Sequence, residues 1–141
     1  APRLAQPHVS YAGEAPVGRK AQLLGDARAT LFPIEWEEPF GLVMIESMLS
    51  GTPVLAFPHG SVPEVIDEGV TGFICRDEAE MTARLVELSR RRFDRARCRA
   101  RAAARFGHMR MVREYLAVYA ASYVRAYGVA KREPGHVGTA L

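Results

Sequence analysis

The sequence has 141 residues, of which 48% are hydrophobic and 25% charged, the balance of an ordinary globular domain. That length suits one buried core and does not easily fit a two-domain enzyme with an interdomain cleft, and no apolar run reaches the ~18–20 residues that span a bilayer. The net charge of +3 conceals an asymmetry: residues 1–75 carry 4 Arg or Lys against 9 Asp or Glu, and residues 76–113 carry 12 Arg against 5 Asp or Glu, so the two stretches are expected to do different jobs.

No charged start followed by an apolar stretch marks a signal peptide. The first residue is Ala1 rather than Met, which suits a processed product or a fragment. Cys75 and Cys98 form no CxxC pair, so the usual zinc spacing is missing. Both are expected to be reduced core or surface residues in a cytoplasmic setting.

In chain order, His8–Ala12 reads as a short strand ending at Gly13. Val17–Arg28 reads as a helix with Leu23, Leu24 and Ala27 on one side. Ala29–Ile34 is short and apolar and is broken by Pro33, the pattern of a buried parallel strand. Leu42–Ser50 follows as a helix that Gly51 can cap. Pro53–Phe57 is a second buried strand, Val62–Asp67 a short helix with Pro63 in its first turn, and Gly72–Cys75 a last strand. This alternation predicts an α/β fold with a Rossmann-like parallel sheet over residues 8–75.

A helical part over 77–127 is predicted next. Glu78–Arg91 places Met81, Leu85 and Leu88 at helical spacing. Asp94 caps a second helix reaching about Phe106, and Met109–Tyr127 is a third, with Met111, Tyr115, Val118 and Ser122 down one side. Residues 128–141 mix Gly, Pro and charge without periodicity and are expected to form a disordered tail.

The chemistry concentrates in the segment from Glu38 to Gly51. Leu42–Ile45 is apolar all round, which predicts a buried helix. Glu46 within it is an anomaly, because a buried carboxylate costs several kcal/mol unless paired or hydrogen-bonded. Its side chain leans toward the helix start, where the amides of Gly41–Val43 and the positive end of the helix dipole form a seat for phosphate. A carboxylate near bound phosphate suits sugar hydroxyls, and Glu38, in the loop before the helix, is placed to touch a second sugar. Spacing alone equally allows a salt-bridged core residue at Glu46 and a plain loop charge at Glu38.

The segment WEEPFGLVMIESMLSGTPVLAF, followed by GSVPEVIDEGVTGFIC, resembles the C-terminal domain of glycosyltransferase family 4 (group 1), which has the GT-B fold. The likeness runs from about Val9 to Tyr123. It implies transfer of a sugar from a nucleotide-diphosphate donor with retention at the anomeric carbon. Glu38 and Glu46 match the two glutamates of the E-x7-E motif. The resemblance implies that Glu38 contacts donor-sugar hydroxyls as the catalytic carboxylate. It implies that Phe40, Gly41, Leu42 and Val43 meet the sugar and diphosphate, and that Glu46 binds the ribose. Gly13, Glu14 and Ala15 match the turn that passes the nucleobase. Lys20 matches a basic residue often beside it, and a solvated charge at a helix start fits Lys20 as well. Glu64 is expected to cap or brace its turn.

No cofactor and no metal is implied, since no DxD sequence is present. The acceptor-binding N-terminal domain, the Arg/Lys loop that clamps the diphosphate and two strands of the donor domain have no counterpart in the chain. The expected partners are therefore a nucleotide sugar and a missing domain or complementing chain, with homodimerisation through exposed sheet edges at Ala29–Ile34 and His8–Ala12 as a further expectation. A non-catalytic nucleotide-binding or partner-complementing module is the alternative. An Arg-rich surface over Arg90–Arg113 for nucleic acid or anionic membrane, with a peripheral place at the inner membrane face, ranks below it; a solvated helix face accounts for that stretch too.

Overall fold

A computed structural model describes residues 6–128. The chain divides into two compact units, residues 1–105 and residues 106–141. In the first, helix α1 (Val17–Asp26) leads into strand β1 (Thr30–Phe32), helix α2 (Leu42–Leu49), strand β2 (Val54–Ala56), the short helix α3 (Val62–Val65), strand β3 (Gly72–Ile74), helix α4 (Glu78–Arg90) and helix α5 (Arg95–Phe106). The second unit is described as helix α6 (His108–Tyr127). The predicted tail lies, beyond Gly128, outside the described residues.

The three strands form one parallel sheet in the order β1-β2-β3. Thr30 stands opposite Val54 and Val54 opposite Gly72. The central strand β2 is fully buried, as its unbroken apolar run requires in a sheet covered on both faces. Leu55 joins Phe57, Cys75, Met81 and Leu88 in a core cluster against α4, with Phe73, Leu85 and Phe93 packed on it. By strand alternation Val54 and Ala56 point the other way. The α2 residues Met44, Ile45 and Met48 are buried outside that cluster. This is the expected parallel α/β arrangement followed by helices.

Three expectations are corrected. His8–Ala12 is not a strand: residues 6–15 hold turns, bends and irregular backbone and are nearly all exposed. A strand needs a neighbour for its amides and carbonyls, and none lies beside this stretch among the described residues. The exposed edge expected there is absent, while β1 is an edge strand. Second, α2 is not buried all round. Leu42 is 66% and Val43 36% exposed, because its first turn projects beyond the strands. Third, the arginines of α5 are not simply a solvated face. Arg95 donates to Ala27 O (2.7 Å) and to Gly25 O, Arg99 to Ser50 O (3.3 Å), and Arg105 to Val65 O (3.2 Å) and Glu64 O (2.5 Å). These carbonyls belong to the C-terminal ends of α1, α2 and α3, which lack intrahelical partners. Asp94 caps α5 as expected, accepting from Arg97 N at 2.9 Å.

Thr52 sits at the centre of a polar network and is fully buried. Its hydroxyl donates to Leu24 O at 2.5 Å and accepts from Arg95 at 2.6 Å. Its carbonyl accepts from Ser47 Oγ at 2.9 Å, and Ser47 Oγ lies 2.8 Å from Thr30 Oγ1. Thr52 thus ties α1 and α5 through its hydroxyl, and α2 through its backbone, to the start of β2. Thr52→Val keeps the shape but leaves Leu24 O and the Arg95 guanidinium short of a partner. It should cost about 1–3 kcal/mol, read as a lower urea midpoint at unchanged slope.

Cys75 and Cys98 are both buried and unpaired. Cys98 packs under Met48 O (3.7 Å) and Thr71 O (3.9 Å). Burial pushes its thiol up from 9.0 to about 11. The folded state therefore keeps this proton where the unfolded chain loses it. The associated stability is full below about pH 9 and is lost as pH rises through 11. Urea midpoints should fall across that window, and the fall should shrink in Cys98→Ala. Equal slopes in the two proteins would exclude Cys98 as the source.

Taken by itself, α6 is a 20-residue helix. Met109, Val112, Leu116, Tyr119 and Tyr123 recur at spacings of three and four and are exposed. The rings of Tyr115 and Tyr119 meet tilted at 6.2 Å between centroids, and those of Tyr123 and Tyr127 at 5.0 Å. Among the described residues no helix is long and apolar enough to cross a membrane.

Candidate functional site at the mouth of helix α2

The loop from β1 to α2, residues 33–41, leaves the carboxyl end of the strand, where open α/β sheets bind ligands. It ends at Gly41, which is buried, carries φ +72° and forms the N-cap of α2. Glycine takes this left-handed conformation without the strain any other residue would carry. Gly41 offers no capping side chain, and Glu38 supplies one: its Oε1 accepts from Gly41 N at 3.2 Å. Its Oε2 accepts from Trp36 Nε1 at 3.1 Å. The first-turn amides of Leu42 and Val43 precede the reach of the helix's own i−4 carbonyls. Phe40 is exposed beside them.

Glu46 lies one turn further on, half-buried. Its Oε1 is 2.5 Å from Lys20 Nζ, each side chain a little over a third exposed. The pair links α1 to α2 across 26 residues. At that exposure it adds little to stability, but it fixes one carboxylate oxygen. Lys20 is thus placed against Glu46, neither as a free solvated charge nor with its ammonium turned away from the motif. Gly13, Glu14 and Ala15 lie in the segment before α1, with Gly13 at φ +65°. Gly13 and Glu14 are exposed and Ala15 half-buried. They share the chain's approach to Lys20, and no hydrogen bond ties them to Glu38 or Glu46 among the described residues. Glu64 is exposed in the first turn of α3.

Two features escaped the sequence reading. The loop 58–61 locks the Glu37–Glu38 backbone: Ser61 N donates to Glu38 O at 2.9 Å and Gly60 N to Glu37 Oε2 at 2.6 Å. A Cβ on Gly60, which has φ +55°, would come within 2.3 Å of Glu38 O and 2.4 Å of Glu38 N. The second is Trp36. A glycine before Ser-x-Pro-Glu and a lone tryptophan two residues from Glu38 were visible signals, but neither spacing says what they touch. A separate concavity lined by Asp67, Val70, Arg97, Ala100 and Arg101 contains none of the predicted residues. Its Asp67 is ion-paired with both Arg101 and Arg105.

Gly60→Ala should displace the Glu38 peptide. The backbone strain and clash should cost about 1–3 kcal/mol. Amide shift changes at residues 36–41, remote in sequence from the substitution, would report the displacement. Changes confined to residues 58–64 would contradict the lock.

A parallel α/β sheet with a helix mouth beyond a strand's carboxyl end belongs to the open α/β architectures, which bind ligands at that end. Residues 2–105, essentially the first compact unit, match the family of glycosyl transferases group 1, and the chain belongs to that family. It is 34% identical over 93 residues to an uncharacterized 41.2 kDa protein in the cps region of Klebsiella pneumoniae, covering 63% of this chain and 26% of that protein. It is 35% identical over 108 residues to D-inositol 3-phosphate glycosyltransferase of Nocardiopsis dassonvillei, covering 73% of this chain and 25% of that protein. The crystal structure of Anabaena HepE in complex with UDP is similar in fold, with a TM-score of 0.65 at 24% identity, over 71% of this chain and 29% of that one. The chain thus spans about a quarter of the length of these relatives.

Proposed function

We propose that the chain is the donor-site portion of a retaining glycosyltransferase of family 4, the C-terminal nucleotide-sugar-binding part of a GT-B enzyme, and that it transfers no sugar by itself. The observation that carries this reading is the placement of Glu38 and Glu46 at two levels of one helix N-terminus, each with an oxygen already held in place. Glu38 is assigned to donor-sugar hydroxyls and Glu46 to the ribose. Phe40–Val43 meet the sugar and diphosphate, chiefly through the first-turn amides of Leu42 and Val43, since the Gly41 amide already donates to Glu38 Oε1, and Gly13–Ala15 with Lys20 flank the nucleoside. Membership of the group 1 family and the naming of a glycosyltransferase among its relatives support the reaction class.

In a retaining transfer of this kind the protein has two tasks. It offsets charge developing on the leaving diphosphate, for which oriented amides at a helix mouth are suited. It also holds the acceptor hydroxyl on the face the leaving group vacates. The second task needs an acceptor surface, which we assign to the part of the protein outside this chain. The proposed chemistry routes no step through a metal.

Glu46→Gln should weaken nucleotide binding by about 1–3 kcal/mol, the loss of a charge-assisted hydrogen bond. Unchanged calorimetric affinity for both UDP and GDP would remove Glu46 from the ribose. Purified residues 1–141 should release no labelled sugar to any acceptor. Transfer without an added partner would overturn the assignment of the chain as an incomplete donor site, and nucleotide affinity that never yields turnover, even with the remainder of the protein supplied, would favour the non-catalytic module.

A further inference from the structure

We propose that Trp36 is the positioning residue for Glu38, a role that rests on the donor-site reading above. Glu38 sits in a loop and is only half-buried. A glutamate there is expected to sample several rotamers, and one that serves sugar hydroxyls must be held in one. The backbone of Glu38 is fixed by Ser61 N on its carbonyl and by Trp36 O on its amide, at 2.9 Å each. Its side chain is held by Gly41 N on Oε1 and by the Trp36 indole on Oε2. Gly41 belongs to the helix start and is bound to stand where it does. Trp36 is the adjustable partner.

Burial does not explain Trp36. Its side chain is 62% exposed, so the largest apolar residue type in the chain contributes little to the core. Its one polar atom, a donor only, is directed at the carboxylate. The consequence for binding is geometric. Each carboxylate oxygen has about two acceptor sites, and each here has one in use. One site per oxygen remains, a pair suited to two neighbouring hydroxyls of a sugar. Without the indole N–H the carboxylate turns about its last bond, and the fixed pair is lost. The diphosphate and the nucleoside do not depend on that pair, so the effect of losing it falls on the sugar.

The chain contains a single tryptophan, which makes the test clean. The one indole N–H resonance of residues 1–141 should move and exchange faster with water in Glu38→Ala. An indole resonance indifferent to Glu38→Ala would overturn the tether without touching the donor-site reading. In a second arm the Trp36 indole is replaced by benzothiophene, which keeps the shape and the aromatic face and removes only the N–H. Affinity for UDP-glucose or GDP-mannose, whichever the wild-type chain binds, should fall about tenfold, the effect of one hydrogen bond, with affinity for UDP or GDP unchanged. Equal loss for the nucleotide and the nucleotide sugar would mark a structural role and overturn the proposal. Wild-type affinity in the benzothiophene protein combined with loss in Trp36→Leu would assign Trp36 as a stacking surface and also overturn it. A wild-type chain that binds neither nucleotide nor nucleotide sugar would overturn the donor-site reading, and the positioning role with it, whatever the indole resonance shows.

Discussion

The fold depends on satisfying the carbonyls at the amino ends of its strands. In a parallel α/β sheet every helix that precedes a strand ends there, and each leaves its last carbonyls unpaired. Here α1, α2 and α3 converge on that end. Thr52 and three arginines of α5 meet their carbonyls: Arg95 those of α1, Arg99 that of α2, Arg105 those of α3. Arg28 does the same for α4, donating to Ser89 O at 2.9 Å. Guanidinium groups suit this task because they carry several donors in a fixed plane and remain charged at all relevant pH. The high Arg density that at first suggests a polyanion-binding surface is, at these positions, the closure of the fold.

That closure divides the domain into two ends. The amino ends of the strands are cross-linked by the buried hydroxyls of Ser47 and Thr52 and by half-buried or exposed guanidinium groups. The carboxyl ends carry loops 33–41 and 58–61, which lock on one another through Gly60 and Glu38. The division accounts for part of the charge asymmetry of the sequence: three of the twelve arginines in residues 76–113 meet helix-end carbonyls, and four of the nine acids in residues 1–75 lie in the loop before α2 or in α2. Arginines gather where helices end, and glutamates gather where α2 begins, in keeping with the direction of the helix dipole. The structural arginines and the candidate site thus lie at opposite ends of the sheet.

The elements were legible to within a few residues from Ala29 to Tyr127, because short apolar runs bounded by Gly and Pro mark β1–β3 and because Asp77 and Asp94 mark helix starts by local hydrogen bonds; the burial on both faces expected of these runs holds for β2, whereas Leu31 of the edge strand β1 is 48% exposed. Apolar residues at His8–Ala12 misled, since strand character there needs a neighbour the chain does not provide. The position of Glu38 before the helix and of Glu46 within it was legible from spacing. Their restraints were not. Lys20 meets Glu46 from 26 residues away, Gly60 meets Glu38 from 22, and Arg95 meets Ala27 from 68. Such contacts arise from packing, and no local pattern encodes them.

One electrostatic consequence bears on how the site is completed. The loop before α2 carries Glu35, Glu37 and Glu38 and the helix carries Glu46, and residues 29–75 contain no Arg or Lys. Lys20 reaches into this group and is already paired with Glu46. A diphosphate carries two or more negative charges, and exposed carboxylates beside it oppose its binding by an amount that water and salt screen. Helix-mouth amides contribute about half a unit of positive charge, less than the charge of a diphosphate. On the donor-site reading, the helix-mouth amides act on the diphosphate together with cations from outside residues 29–75, of which Lys20, against Glu46, is one.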